Sequence, residues 1–159
     1  MSILLNCVNV LLKDFDMKRP DIDEYYMSMA LIASLRSTCA RRRVGCILVD
    51  QHNRVLSTGY NGVPAGMPHC IDTPCPGANH KTGEGLSVCE ASHAEISALI
   101  DCRDIKAITT IYCTTAPCID CVKALLNSSA SRIVFMEDYA ASGQHLWEKA
   151  GRIWNQQTM

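Results

Sequence analysis

His93-Ala94-Glu95, followed by Pro117-Cys118-Ile119-Asp120-Cys121, is the part of this chain whose residue types and spacing suit chemistry. One histidine and a Cys-x-x-Cys pair supply three ligands to a tetrahedral zinc and leave the fourth position to water. Cys118 and Cys121, three apart, share one face of a helix, and Pro117 suits a first helical turn, where its missing N–H costs nothing. Glu95 lies two residues past the histidine, so it need not point the same way and can stand beside the water as a base. The combination describes hydrolysis: zinc lowers the pKa of water, two thiolates blunt that effect by donating charge, and a carboxylate takes the proton. A structural zinc, or buried cysteines without metal, is the competing reading, and a purely structural site does not require Glu95.

The elements that must position these residues follow from the pattern around them. Residues 1–20 read as an added arm or short helix closed by Pro20. From Asp23 to about Arg36 the apolar residues Tyr26, Met29, Ala30, Ala33 and Leu35 approximate one helical stripe. Val44–Val49 and Arg54–Tyr60 are runs of strand length joined by Asp50-Gln51-His52-Asn53, which predicts a hairpin. Residues 61–92 are loop-like, and a loop this long is functional or held by something. Beyond it the pattern predicts a helix from His93 to about Cys102 and a strand over Thr109–Thr115. A helix over Pro117–Ser128 and a strand over Arg132–Met136 come next. The last elements are a helix over Ala140–Ala150 and a short strand near Ile153. A hairpin followed by alternating helices and strands predicts one α/β domain over residues 1–159, a mixed sheet with helices on both faces.

Composition narrows the setting. The chain of 159 residues carries 15 basic and 16 acidic side chains, so a broad polynucleotide-binding surface is not expected. The start of the chain lacks a basic n-region and cleavage site and is too short to span a bilayer. Ten cysteines then fit reduced thiols and metal ligands in a cytoplasmic setting better than disulfides. Cys39, Cys70, Cys75 and Cys89, with His80 as a substitute, suit a second, structural zinc that would hold the long loop. Free buried thiols are the alternative.

The H-x-E…P-C-x-x-C order is the signature of zinc nucleobase deaminases. Together with Ser37-Thr38-Cys39-Ala40-Arg41-Arg42-Arg43-Val44-Gly45, Gly59-Tyr60-Asn61-Gly62-Val63-Pro64-Ala65-Gly66, His69-Cys70-Ile71-Asp72 and Cys89-Glu90-Ala91-Ser92, it makes the chain resemble the deoxycytidylate deaminases of the cytidine-deaminase-like superfamily across about residues 23–155. The resemblance implies a three-layer α/β/α sandwich with a five-stranded mixed sheet. It also implies zinc-dependent hydrolysis of dCMP to dUMP, which supplies dTMP synthesis, in a hexamer activated by dCTP and inhibited by dTTP, with Mg2+ accompanying a triphosphate effector. Such enzymes often carry Asn two residues after the glutamate; here that place is Ser97.

The same resemblance implies that Asn61 bonds the sugar hydroxyl, that backbone around Thr115-Ala116 reads the exocyclic amine, and that Ala94 and Tyr139 lie near the substrate. A turn role for Asn61 and a core or rim role for Tyr139 are the alternatives. The phosphate needs a cation, and the candidates are Arg36, Arg41, Arg42, Arg43, Arg103 and Lys106, with Arg103 assigned to the substrate. Arg41, Arg42 and Arg43 with Gly59, Tyr60 and Gly62 are the expected effector site, since glycine-rich turns expose N–H groups that bind phosphate. Shaping of the active-site rim is the other reading of these glycines. A tRNA-adenosine-type deaminase and a non-catalytic zinc-stabilised module are the alternative functions.

Overall fold

The structure, a computed structural model, describes residues 19–81 and 83–158. The arm expected over residues 1–20 lies almost wholly outside the described residues. Helix α1, Ile22–Ser34, starts where Asp21 and Glu24 form a reciprocal cap. Each side chain accepts from the other's backbone N–H at 2.8 Å, which satisfies two donors that a helix start leaves open. The helix stops two residues short of the expected Arg36, and Leu35 is its C-cap. Its buried face is Tyr26, Met27, Ala30 and Ser34. Met27 joins the expected stripe, whose Met29 and Ala33 pack half-buried against the same cluster, while Leu35 already lies past the last turn.

The predicted hairpin forms from β1, Gly45–Asp50, and β2, Val55–Tyr60. Asn53 in its turn adopts the left-handed φ of 59°. Strands β3, Ile108–Thr115, β4, Arg132–Glu137, and β5, Ile153–Gln156, complete a sheet in the order β2-β1-β3-β4-β5. β1 runs antiparallel to β2 and β3, while β3, β4 and β5 are mutually parallel. This is the five-stranded mixed sheet that the sequence predicts.

Alternating side chains divide the core between the two faces. On one, Tyr26, Met27 and Ala30 of α1 pack on Ile47, Val49, Tyr112 and Val134. On the other, Cys46, Leu48, Ile111, Cys113 and Ile133 meet Ala94 and Ala98 of α2, Ala94–Asp101, and Val122 and Leu125 of α3, Ile119–Leu125. Trp147 of α4, Gln144–Lys149, completes that layer. Asp23 ties α1 to the sheet, since both of its oxygens accept from Arg132 and one also accepts from Tyr112 Oη at 2.8 Å.

Two further helices are shorter than the pattern predicts. α3 ends at Leu125 because the chain tightens there: Asn127 N–H and Ser128 N–H donate back to Ala124 and Leu125. α4 does not begin at Ala140, because Ala140–Gly143 wraps against the start of α3 instead. Gly143 N–H donates to Pro117 O at 3.0 Å, and Cys118 and Ser142 form a bridge. A Cβ on Gly143 would strike the Val122 side chain, so only glycine permits this approach. No described helix is long and apolar enough to cross a membrane.

Candidate active site

His93 is the N-cap of α2, and Cys118 is the N-cap of α3. Pro117 therefore precedes the helix rather than occupying its first turn, and it is buried with its carbonyl bonded to Gly143. The two helix starts meet at the carboxyl end of β3. His93 Nδ1 lies 3.4 Å from Cys118 Sγ and 3.3 Å from Cys121 Sγ. All three ligand atoms fall within 4.8 Å of one another. A tetrahedral zinc with Zn–N of about 2.0 Å and Zn–S of about 2.3 Å requires N···S separations of roughly 3.5 Å, so this donor set fits zinc. The Cys118 thiol is held down to about 4, first by the hydrogen bond from Cys121 and then by His93, against the effect of burial. The sulfur facing it, Cys121, is pushed up by Cys118 and by burial. His93 is raised, chiefly by its hydrogen bond with Cys118.

Glu95 stands in the first turn of α2, 4% exposed, and lines the same pocket as His93 and Cys118. Burial pushes its carboxyl above the ordinary range, while its own backbone N–H and His93 oppose the rise. The carboxylate approaches Cys121 but is not one of the three compact ligands. The arrangement is a three-donor metal centre with a dry acid–base group at its side.

The pocket brings together most of the residues expected at a substrate. Asn61, Ala94, Thr115, Ala116 and Tyr139 all line it, as do Arg41 and Arg42. Asn61 is 7% exposed and braces the chain: its Nδ2 donates to Arg42 O and its Oδ1 accepts from Val44 N, both at 2.8 Å. It does not adopt a left-handed φ, so the turn reading fails. Ala116 N–H donates to Glu137 O at 2.8 Å, which leaves a carbonyl of the segment as the group to meet an amine donor. The Arg42 guanidinium lies 5.9 Å from the Tyr139 ring centroid and 2.7 Å from Glu137 Oε2. Arg41 donates to Lys81 O in the long loop.

Other expectations are not assembled. Arg103 is exposed just past Cys102, the C-cap of α2, at the opposite end of that helix from His93. Neither it nor Lys106, which donates to Asn127 O at 2.6 Å, lines the pocket. Arg36 is exposed and also absent from the lining. The effector grouping separates too. Arg41 and Arg42 face the pocket with Glu95, while Gly59 and Gly62 are buried. A Cβ on Gly59 would overlap the Ala94 carbonyl, and one on Gly62 would overlap Thr38 Oγ1. These glycines therefore serve close packing, and of that set only Arg43 and Tyr60 stay exposed.

The loop cysteines lie near one another. Cys75 N–H donates to Cys70 Sγ at 3.5 Å. The Cys75 thiol is lowered, first by the backbone N–H of Glu90, and it also bonds Cys70 and Cys89. Cys39 and Cys89 both line the pocket wall. Among the described residues, however, only His93, Cys118 and Cys121 form a compact metal-ligand group. His80 is exposed, with its ring against Gly85. Reading the sequence missed Leu86, which lines the pocket from the polar loop, and Glu137. The signal for Glu137 was its place at the end of β4, in register with Thr115.

Comparisons with known proteins bear on this site. A family model described as the cytidine and deoxycytidylate deaminase zinc-binding region matches residues 20–137. Deoxycytidylate deaminase of Saccharomyces cerevisiae is 36% identical over 146 residues, 86% of this chain and 46% of that protein. The chain thus spans about half the length of that relative. Deoxycytidylate deaminase of Mycobacterium phage D29 is 38% identical over 129 residues, 77% of this chain and 99% of that one. The crystal structure of dCMP deaminase from the cyanophage S-TIM5 in complex with dCMP and dUMP superposes with a TM-score of 0.68 at 25% identity. It covers 88% of this chain and 99% of that one.

Proposed function

From a chain that belongs to the cytidine and deoxycytidylate deaminase family, we propose a zinc-dependent hydrolytic deaminase that converts dCMP to dUMP and ammonia. One observation carries this reading: the buried Glu95 carboxylate lies beside a His93, Cys118 and Cys121 donor set that fits zinc. When bound, zinc supplies the Lewis acidity that lowers the pKa of water. Glu95 takes a proton from the attacking water and gives it to the cytosine N3. As water's oxygen bonds C4, Glu95 collects the remaining proton of that hydroxyl and passes it to the leaving amine, so that the C4–N bond breaks as the C4 carbonyl forms. Water is consumed, ammonia departs, and Glu95 ends ionised as it began. Its burial suits a group that must hold a proton between two transfers.

Arg42, with Arg41, takes the phosphate in this reading, Asn61 the sugar hydroxyl, and a carbonyl of Thr115-Ala116 the exocyclic amine. The phage relative solved with dCMP and dUMP supports a deoxycytidine monophosphate as substrate. The dUMP formed would supply dTMP synthesis. A second zinc on Cys39, Cys70, Cys75 and Cys89 would order the long loop, and the N–H groups of Glu90 and Gly77 directed at the Cys75 sulfur support it. Activation by dCTP and inhibition by dTTP, with Mg2+ on the triphosphate, would act through the exposed Arg43 and Tyr60 in a hexamer. Saturation curves for dCMP with and without each triphosphate, beside mass in solution, test this last part. Identical curves from a monomer would remove it.

The experiment for the activity offers dCMP, dCTP, cytidine and an RNA hairpin in parallel, with ammonia as readout. Release from dCMP at the highest kcat/KM is expected. Release from the hairpin alone, or from none of them by zinc-loaded protein, would overturn the reading.

A further inference from the structure

Glu137 lies outside the pocket lining but acts on it through Arg42. Its backbone is fixed to the pocket wall, since it pairs in register with Thr115 and its carbonyl accepts the Ala116 N–H at 2.8 Å. Its side chain reaches the Arg42 guanidinium at 2.7 Å. Arg42 is thus held at three points: its carbonyl by Asn61 Nδ2, its guanidinium by Glu137, and the face of that group by Tyr139. Both partners are partly open to water, with side-chain exposures of 31% for Arg42 and 63% for Glu137. The pair therefore stands at the mouth of the pocket, not in its floor.

We propose that Glu137 is a specificity-determining and positioning residue that limits this mouth to a substrate with a single phosphate. The inference rests on the reading of Arg42 as the phosphate-binding cation. Glu137 aims that cation and cancels part of its charge. One phosphate can share Arg42 with the carboxylate. A triphosphate brings about two further negative charges to a mouth that already holds one, and repulsion grows with each. The charge on Glu137 thus weighs more heavily against dCTP than against dCMP.

The test uses full-length, zinc-loaded protein with dCMP, dCTP and deoxycytidine, at low and high salt and without added divalent cation. Glu137→Gln should raise the ratio of kcat/KM for dCTP to that for dCMP about threefold to fivefold at low salt, and the rise should fade at high salt, as a screened mouth charge requires. Glu137→Asp, which keeps the charge, should hold the ratio within about twofold of wild type. An unchanged ratio in Glu137→Gln at low salt overturns the proposal, as does an equal rise at both salt concentrations, which would mean packing rather than charge. Arg42→Gln separates the two claims. If it keeps the wild-type preference for dCMP over deoxycytidine, the phosphate reading itself fails. If that preference is lost while Glu137→Gln changes nothing, only the role of Glu137 fails.

Discussion

Gly59 of β2 lies directly beneath Ala94 of α2: a Cβ there would overlap the Ala94 carbonyl oxygen and stand 2.5 Å from the Ala98 amide nitrogen. This contact sets how close α2 sits to the sheet, and the start of α2 carries His93 and Glu95. Overpacking of this kind costs about 1–3 kcal/mol. Gly59→Ala should lower the melting temperature and weaken zinc retention together, because the strain falls on the turn that holds His93. Thermal unfolding and metal content after dialysis check this. A variant that melts lower yet keeps zinc as well as wild type would disconnect the glycine from the site.

The pair Asp23 and Arg132 should appear in the pH dependence of stability. Hydrogen bonds from Arg132 and then Tyr112 hold the Asp23 carboxyl below its ordinary value, although burial opposes them. A carboxyl lowered by folding stabilises the protein above its unfolded pKa of about 3.9, and that contribution is lost as pH falls through the folded value. Asp23→Asn should therefore destabilise the protein near neutrality by about 1.5–3 kcal/mol, with the gap to wild type narrowing below about pH 4. Urea unfolding across that range measures it. A gap that stays constant into acid would show that the charge of Asp23 is not what matters.

The metal centre was legible because its chemistry sits in adjacent residues. His93, Glu95, Cys118 and Cys121 are named by type and spacing, and the two helix starts need only meet. The sheet was legible from apolar runs whose lengths and turns admit few arrangements. Helix ends were less so. Whether α4 begins at Ala140 or Gln144 depends on Gly143 touching Val122, a contact between segments distant in sequence. Cation placement was least legible. Arg103 and Arg42 are equivalent as residue types, and only the fold shows that one lies beyond the far end of α2 while the other faces Tyr139. The glycines of 59–62 resembled a phosphate loop because flexibility and close packing select the same residue.

Metal stoichiometry tests the loop cysteines. Fully loaded protein should hold two zinc ions per chain, and Cys70→Ala or Cys75→Ala should remove one while speeding proteolysis of residues 61–92. The buried environment of Cys70 and Cys75 makes loop loosening the expected consequence. One zinc per chain in the loaded wild type would eliminate the second site.

In the proposed reaction Glu95 moves the protons and does not hold the metal. Glu95→Gln keeps the shape of the side chain but cannot carry a proton. Zinc per chain and kcat for dCMP, measured on the same preparation, decide it. An unchanged catalytic zinc with kcat reduced about 10²–10⁴-fold is expected. More than about a tenth of wild-type kcat with zinc in place would fall short of a general acid–base contribution and contradict it.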